Sequence, residues 1–228
     1  MKHIVKMTLG FIIIMFTLAS CDKDVALPKS IEIFKGFYLY GDATPFTGMD
    51  NNGIAAAGGT VDQGNKFIRL KSGKITLSYE DNSTKTQLNS TIYGVDGSGA
   101  LKKDAAAINF TQAAGEYLIR FDVKAGTISY TKINGWGLIG SATPGGWSDD
   151  TNMTLASYEN GIYTYTCDLA LTGGNEIKFR ANDGWDINLG GEKSGMSFGG
   201  SNIRISESGN YSVKLILGTK FTYEIVKK

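Results

Sequence analysis

Histidine is all but missing from this chain. His3 is the single example, and it falls in a segment that reads as a removable leader. The mature chain therefore lacks Ser-His and Cys-His nucleophile pairs, a histidine general base and histidine metal ligands. Cysteine is nearly as scarce, with only Cys21 and Cys167. The formal net charge is +1, so no basic field is available to hold nucleic acid. Beyond the leader no apolar run is long enough to cross a bilayer as a helix, and no stretch keeps a 3.6-residue hydrophobic period. Proline occurs three times against 30 glycines. These absences argue against most hydrolases, metal centres, nucleic-acid binders and helical membrane proteins.

What is present begins with the leader, residues 1–21. Lys2, His3 and Lys6 give it a charged start, and Leu9 to Ala19 is apolar but too short to span. It ends Leu18-Ala19-Ser20-Cys21, which resembles the bacterial lipoprotein signal. That resemblance implies cleavage before Cys21 and lipidation of its thiol, with several acyl chains giving a stable membrane anchor. With Cys21 modified, Cys167 is left without a disulfide partner. Its strand-like setting, Ile162 to Leu169, makes it a small core residue rather than a reactive thiol. Residues 22–31 form a polar tether. The acids Asp22 and Asp24, just after the cysteine, loosely resemble the surface-export signal of Bacteroidetes lipoproteins.

The body of the chain repeats itself. Gly41-Asp42-Ala43-Thr44-Pro45 returns as Gly140-Ser141-Ala142-Thr143-Pro144, and Gly115-Glu116-Tyr117 returns as Gly209-Asn210-Tyr211. A period close to a hundred residues is a whole domain rather than a solenoid unit. The boundaries expected are 32–133 for the first repeat and 134–228 for the second, joined tightly at Ile133-Asn134-Gly135. Short alternating runs recur about every ten residues, separated by turn signals such as Glu159-Asn160-Gly161. The pattern predicts an all-β fold, two tandem antiparallel β-sandwiches of Ig-like proportions.

Each copy serves as a control for the other. What both share is fold, and what one alone carries is a candidate for function. Aligning Ile68 with Ile177 sets Arg69 and Lys71 beside Lys178 and Arg180, a basic pair on the outward face of a strand in each copy. On this alignment Trp185 faces Lys74. Trp147 faces Gly48, with Phe46 as its nearest substitute. Trp147 and Trp185 thus belong to polar, glycine-flanked loops of the second copy only. Trp136 opens a strand opposite Phe37 and reads as core. A pyranose has a C–H face that stacks on indole and a rim of hydroxyls that needs partners. Lys178, Arg180, Asn182, Asp183 and Asn188 supply such partners near Trp185.

The runs Ala142-Thr143-Pro144-Gly145-Gly146-Trp147 and Glu176 to Gly191, with the closing Gly-x-Tyr strand, resemble the carbohydrate-binding domains of the SusE and SusF lipoproteins. That family belongs to the starch-utilisation systems of Bacteroidetes. The resemblance implies a non-catalytic lipoprotein on the outer membrane, facing the cell exterior. It implies starch or a maltooligosaccharide as the ligand, and an outer-membrane glycan importer complex as neighbour. Trp147 and Trp185 would then be the stacking platform, and Lys178 or Arg180 the basic contact. No cofactor or metal is called for, since no acidic loop has a full calcium-ligand spacing. The first repeat, lacking both tryptophans, reads as degenerate. Three alternatives stay open: a different glycan, an adaptor whose tryptophans meet a protein, and a glycosidase drawing on Asp149, Asp150, Asp183, Asp186 or Glu192.

Overall fold

The structure is a computed structural model that describes residues 35–49, 53–54, 62–81 and 90–228. The leader with Cys21 and the tether 22–31 lie outside the described residues. Among those described, the chain is all-β and every strand pairing is antiparallel. The first repeat contributes β1 (Gly36–Tyr40), β2 (Gly53–Ile54), β3 (Gln63–Leu70), β4 (Gly73–Glu80), β5 (Ser90–Val95), β6 (Leu101–Lys103), β7 (Ile108–Phe110), β8 (Gly115–Asp122) and β9 (Thr127–Ile133). The second contributes β10 (Trp136–Ile139), β11 (Thr151–Asn152), β12 (Thr154–Glu159), β13 (Ile162–Leu171), β14 (Glu176–Ala181), β15 (Asn188–Gly190), β16 (Ser197–Phe198), β17 (Ile203–Arg204), β18 (Gly209–Leu217) and β19 (Phe221–Lys227).

The two repeats share one plan. The first has a sheet in the order β2-β1-β4-β5-β6 with β7 attached to β4, facing a smaller sheet β3-β8-β9. The second has β11-β10-β14-β15-β16 with β17 attached to β14, facing β12-β13-β18-β19. The alternation expected of such strands is clearest in β18, where Tyr211, Val213, Leu215 and Leu217 are buried and the residues between them are not. The hairpin between β12 and β13 turns on Asn160 and Gly161, both at positive φ (51° and 76°), as a two-residue turn with this right-handed twist demands.

The shared motifs turn out to be fold devices. Tyr117 donates its hydroxyl to the Ala113 carbonyl (2.7 Å), and Tyr211 does the same to Glu207 (2.9 Å), so each Gly-x-Tyr opens a strand with a tyrosine corner. In the other motif Thr44 Oγ1 donates to the Gly41 carbonyl (3.1 Å) and Thr143 Oγ1 to that of Gly140 (3.0 Å). The adjacent Ala43 and Ala142 are both buried.

Backbone pairing corrects the alignment on Ile68 and Ile177. Leu77 pairs with Leu39 as Phe179 pairs with Leu138, so β4, not β3, is the counterpart of β14. Ala43 N–H donates to Lys74 O and Ala142 N–H to Glu176 O, each at 3.0 Å, which matches Lys74 with Glu176 rather than with Trp185. Strand β3, with Arg69, is the counterpart of β13: Leu70 pairs with Gly115 as Leu171 pairs with Gly209. The misalignment has a simple cause. An apolar–basic alternation fits any half-buried strand, and only the partner strand tells which one it is.

β8 buries Tyr117, Leu118 and Ile119 in succession, which alternation alone does not allow. Tyr117 and Ile119 enter the core of the first repeat, whereas Leu118 joins Phe67, Ile133 and Trp136 in the core cluster of the second. Phe67 meets Trp136 edge to face, with ring centroids 5.3 Å apart. Both faces of β8 are thus covered. Each apolar side chain buried at the joint contributes about 1.5–3 kcal/mol.

Candidate functional site

The site is built on the face of β14 that carries Lys178 and Arg180, where its neighbours are β10 on one side and β15 on the other. Arg180 pairs across with Gly137 and with Asn188. Its guanidinium does not point into solvent as strand alternation predicted. Nε donates to Asp150 Oδ2 at 2.6 Å, and the two side chains are only 8% and 5% exposed. Gly137 makes this possible, because a Cβ there would collide with the Asp150 carboxylate. The first repeat has Tyr38 and Ser78 at the corresponding positions, both buried, so it retains neither the arginine nor the room for its partner. The basic pair is therefore a property of the second copy alone, with Thr76 and Ser78 standing in the first.

Trp185 lies over Arg180, its ring centroid 5.2 Å from the guanidinium carbon. Trp147 approaches from the loop after β10, and the two indole centroids are 6.1 Å apart with their planes inclined at 40°. Both rings remain accessible, at 38% for Trp147 and 46% for Trp185. The loop carrying Trp147 is closed by Asp149 N–H donating to the Gly145 carbonyl (3.2 Å), with Gly146 at φ 59°. Gly140 N–H donates to Gly146 O as Gly41 N–H donates to Phe46 O, so Phe46 matches Gly146 in the backbone. Its ring is buried against the Gly161 turn of the second repeat and does not replace Trp147.

The remaining sequence candidates divide. Asn188 donates Nδ2–H to the Trp185 carbonyl (2.7 Å), holding the loop, and its Oδ1 has no hydrogen-bond partner among the described residues. Asp183 is exposed at the top of the loop, with φ 53°. Lys178 lies across Gly190, half-buried, and partial burial lowers its pKa. Asn182 is committed elsewhere. Its Oδ1 accepts the Asn134 N–H (2.7 Å) and its Nδ2–H donates to the Lys132 carbonyl (2.8 Å), so it ties the Trp185 loop to the joint between repeats. Arg120 from the first repeat stacks on Phe198 (4.6 Å) and faces Asp186 of the same loop.

Sequence reasoning missed Asp150 as the partner of Arg180, and Gly137 as the gap that admits it. The available signal was a glycine in a strand whose sister copy has tyrosine. Of the carboxylates considered for catalysis, Asp150 is sequestered by Arg180, while Asp149, Asp183, Asp186 and Glu192 are exposed. Among the described residues no cluster of acidic, cysteine or histidine side chains has the arrangement of a metal site.

No protein-family model and no curated protein matches the chain. Among solved structures it is similar to SusF from Bacteroides thetaiotaomicron, at 17% identity with a TM-score of 0.34. The match covers 87% of this chain and 50% of that one, so this chain spans half of SusF's length.

Proposed function

We propose that the second repeat is a non-catalytic glycan-binding module, with starch or a maltooligosaccharide as the preferred ligand, in a lipoprotein anchored through Cys21 at the outer membrane. The observation that carries this reading is the inclined, accessible pair Trp147–Trp185. Two indole faces at an angle suit consecutive pyranose rings along a curved chain. Arg180 stiffens one of them from beneath, and Asn188 holds the loop of that same ring through its hydrogen bond to the Trp185 carbonyl. Burial of the Arg180–Asp150 pair keeps a full charge out of the platform, which favours a neutral ligand. Each aromatic stack contributes about 1–3 kcal/mol, so an affinity set by two of them is modest.

Calorimetric titration of the soluble chain lacking residues 1–21 with maltoheptaose tests the reading. Trp147→Ala and Trp185→Ala should each weaken binding about 10- to 100-fold. Their melting temperatures should stay near that of the parent, because neither ring fills a cavity. Undiminished binding by both variants would reject the platform. Sustained release of reducing ends from starch would instead favour a glycosidase.

A further inference from the structure

A second opening lies away from the tryptophan pair, where the two repeats meet. It is a cleft of about 660 Å³ between the Ala43–Pro45 loop, the ends of β3 and β8, and strand β12. None of the residues argued above to form the glycan site lines it. A volume of this size falls within the range of small-molecule sites.

Its walls differ in chemistry. Arg69 and Lys71, both exposed, supply two cationic groups on the side of the first repeat. The Arg69 guanidinium carbon lies over the Tyr158 ring of the second repeat, 4.5 Å from its centroid, a cation–π contact that restrains the side chain and leaves its N–H groups to bind. Among the described residues Arg69 and Lys71 are in no ion pair. Leu155, 37% exposed, and Pro45 give the cleft an apolar side. Glu116 forms the floor. One of its oxygens accepts from the Tyr165 hydroxyl, and Oε1 is buried without a hydrogen bond of normal geometry among the described residues. Burial pushes this carboxyl up to about 7, so the floor carries less than a full negative charge near neutrality.

We propose that this inter-repeat cleft is a separate binding site for a small organic carboxylate of about monosaccharide to disaccharide size. The carboxylate is gripped by the Arg69 fork and Lys71, and the body of the ligand rests on Leu155 and Pro45. A planar guanidinium restrained over an aromatic ring presents two parallel N–H groups, the geometry that carboxylates take best. A neutral sugar offers these two cationic groups no charge-assisted hydrogen bond, so the cleft favours an acid over the ligand proposed for the tryptophan pair. The site does not depend on that earlier reading.

The test is titration of the chain lacking residues 1–21 with D-glucuronate, D-glucose, propionate and inorganic phosphate. Glucuronate should bind at least tenfold more tightly than glucose or phosphate. Propionate binding as well as glucuronate identifies a general carboxylate site, and weaker propionate identifies a sugar acid; both agree with the proposal. Arg69→Met and Lys71→Gln should each weaken glucuronate at least tenfold while maltoheptaose titrates as before and the far-UV spectrum is unchanged. Trp185→Ala should leave glucuronate binding intact. No measurable glucuronate binding, equal binding by Arg69→Met, phosphate binding as tightly as glucuronate, or loss of glucuronate binding in Trp185→Ala would each overturn the assignment.

Discussion

Arg180 is clasped between the carboxylate of Asp150 and the underside of Trp185, with Nε 2.6 Å from Oδ2 and the guanidinium carbon 5.2 Å from the indole centroid. An ion pair buried this deeply gives little net stability, because desolvation offsets most of the attraction. Its effect is geometric: it fixes a flat cationic surface under an otherwise exposed ring. Removing one partner leaves the other charged and dry. Asp150→Ala is therefore expected to cost about 3–5 kcal/mol in urea denaturation. The double variant Asp150→Leu with Arg180→Met should recover much of that stability yet bind maltoheptaose more weakly, since Trp185 has lost its support. A double variant as unstable as the single one would show that the pair stabilises in its own right.

Asn182 separates a structural role from a ligand-binding one. It sits at φ 57°, where a side chain with Cβ is strained, and it bridges Asn134 and Lys132. Asn182→Ala loses both bonds and keeps the strain, costing roughly 1–3 kcal/mol. Asn182→Gly should cost less, because glycine accepts this conformation freely. Glycan affinity should fall in the same order, with Trp185 fluorescence shifting as the loop loosens. If both variants melt like the parent but fail to bind, Asn182 contacts the glycan directly.

Glu116 gives the fold a pH dependence of definite sign. Burial raises its carboxyl from an ordinary value of 4.5 to about 7, against the smaller opposing pull of the Tyr165 hydroxyl, the Trp136 indole and Arg69. Tyr163 also faces it. The folded state binds the proton more tightly than the unfolded one. Stability from this group is therefore complete below pH 4.5 and falls as pH rises to 7. Glu116→Gln should remove that slope. Relative to the parent, the variant should gain roughly 2–3 kcal/mol between pH 4.5 and pH 8 in denaturant titrations. A parallel stability–pH profile for the two proteins would show that the buried carboxyl stays ionised.

Anchoring is expected to depend on one thiol. Cys21→Ala should move the protein from the membrane fraction to the soluble one after salt washing. Persistence of the variant in washed outer membranes would require a different anchor.

The near-absence of histidine, the scarcity of cysteine and the balanced charge confine the chain to a narrow set of functions before any folding is considered. The period-2 runs gave most of the strands, since alternation reports a half-buried surface directly. Strands β5 and β6 escaped because the small-residue run 90–107 shows no clear alternation, and β15 and β16 because two or three residues hardly display a period. The exposure of Trp147 and Trp185 was legible from their polar, glycine-rich surroundings, and the burial of Trp136 from its match with Phe37. The pairing of strands was not. Ile68 to Lys71 and Ile177 to Arg180 look alike because each satisfies the same local rule, but hydrogen bonds to distant strands assign them to different sheets. The fate of Arg180 was equally hidden. A strand face without apolar residues reads as solvated, and it became dry only because Gly137, some forty residues away in sequence, admits Asp150 beside it. Local sequence sets which residues can lie on a face. What covers that face is a matter of long-range packing, and this alone decides whether a charge there stays in water or becomes part of a site.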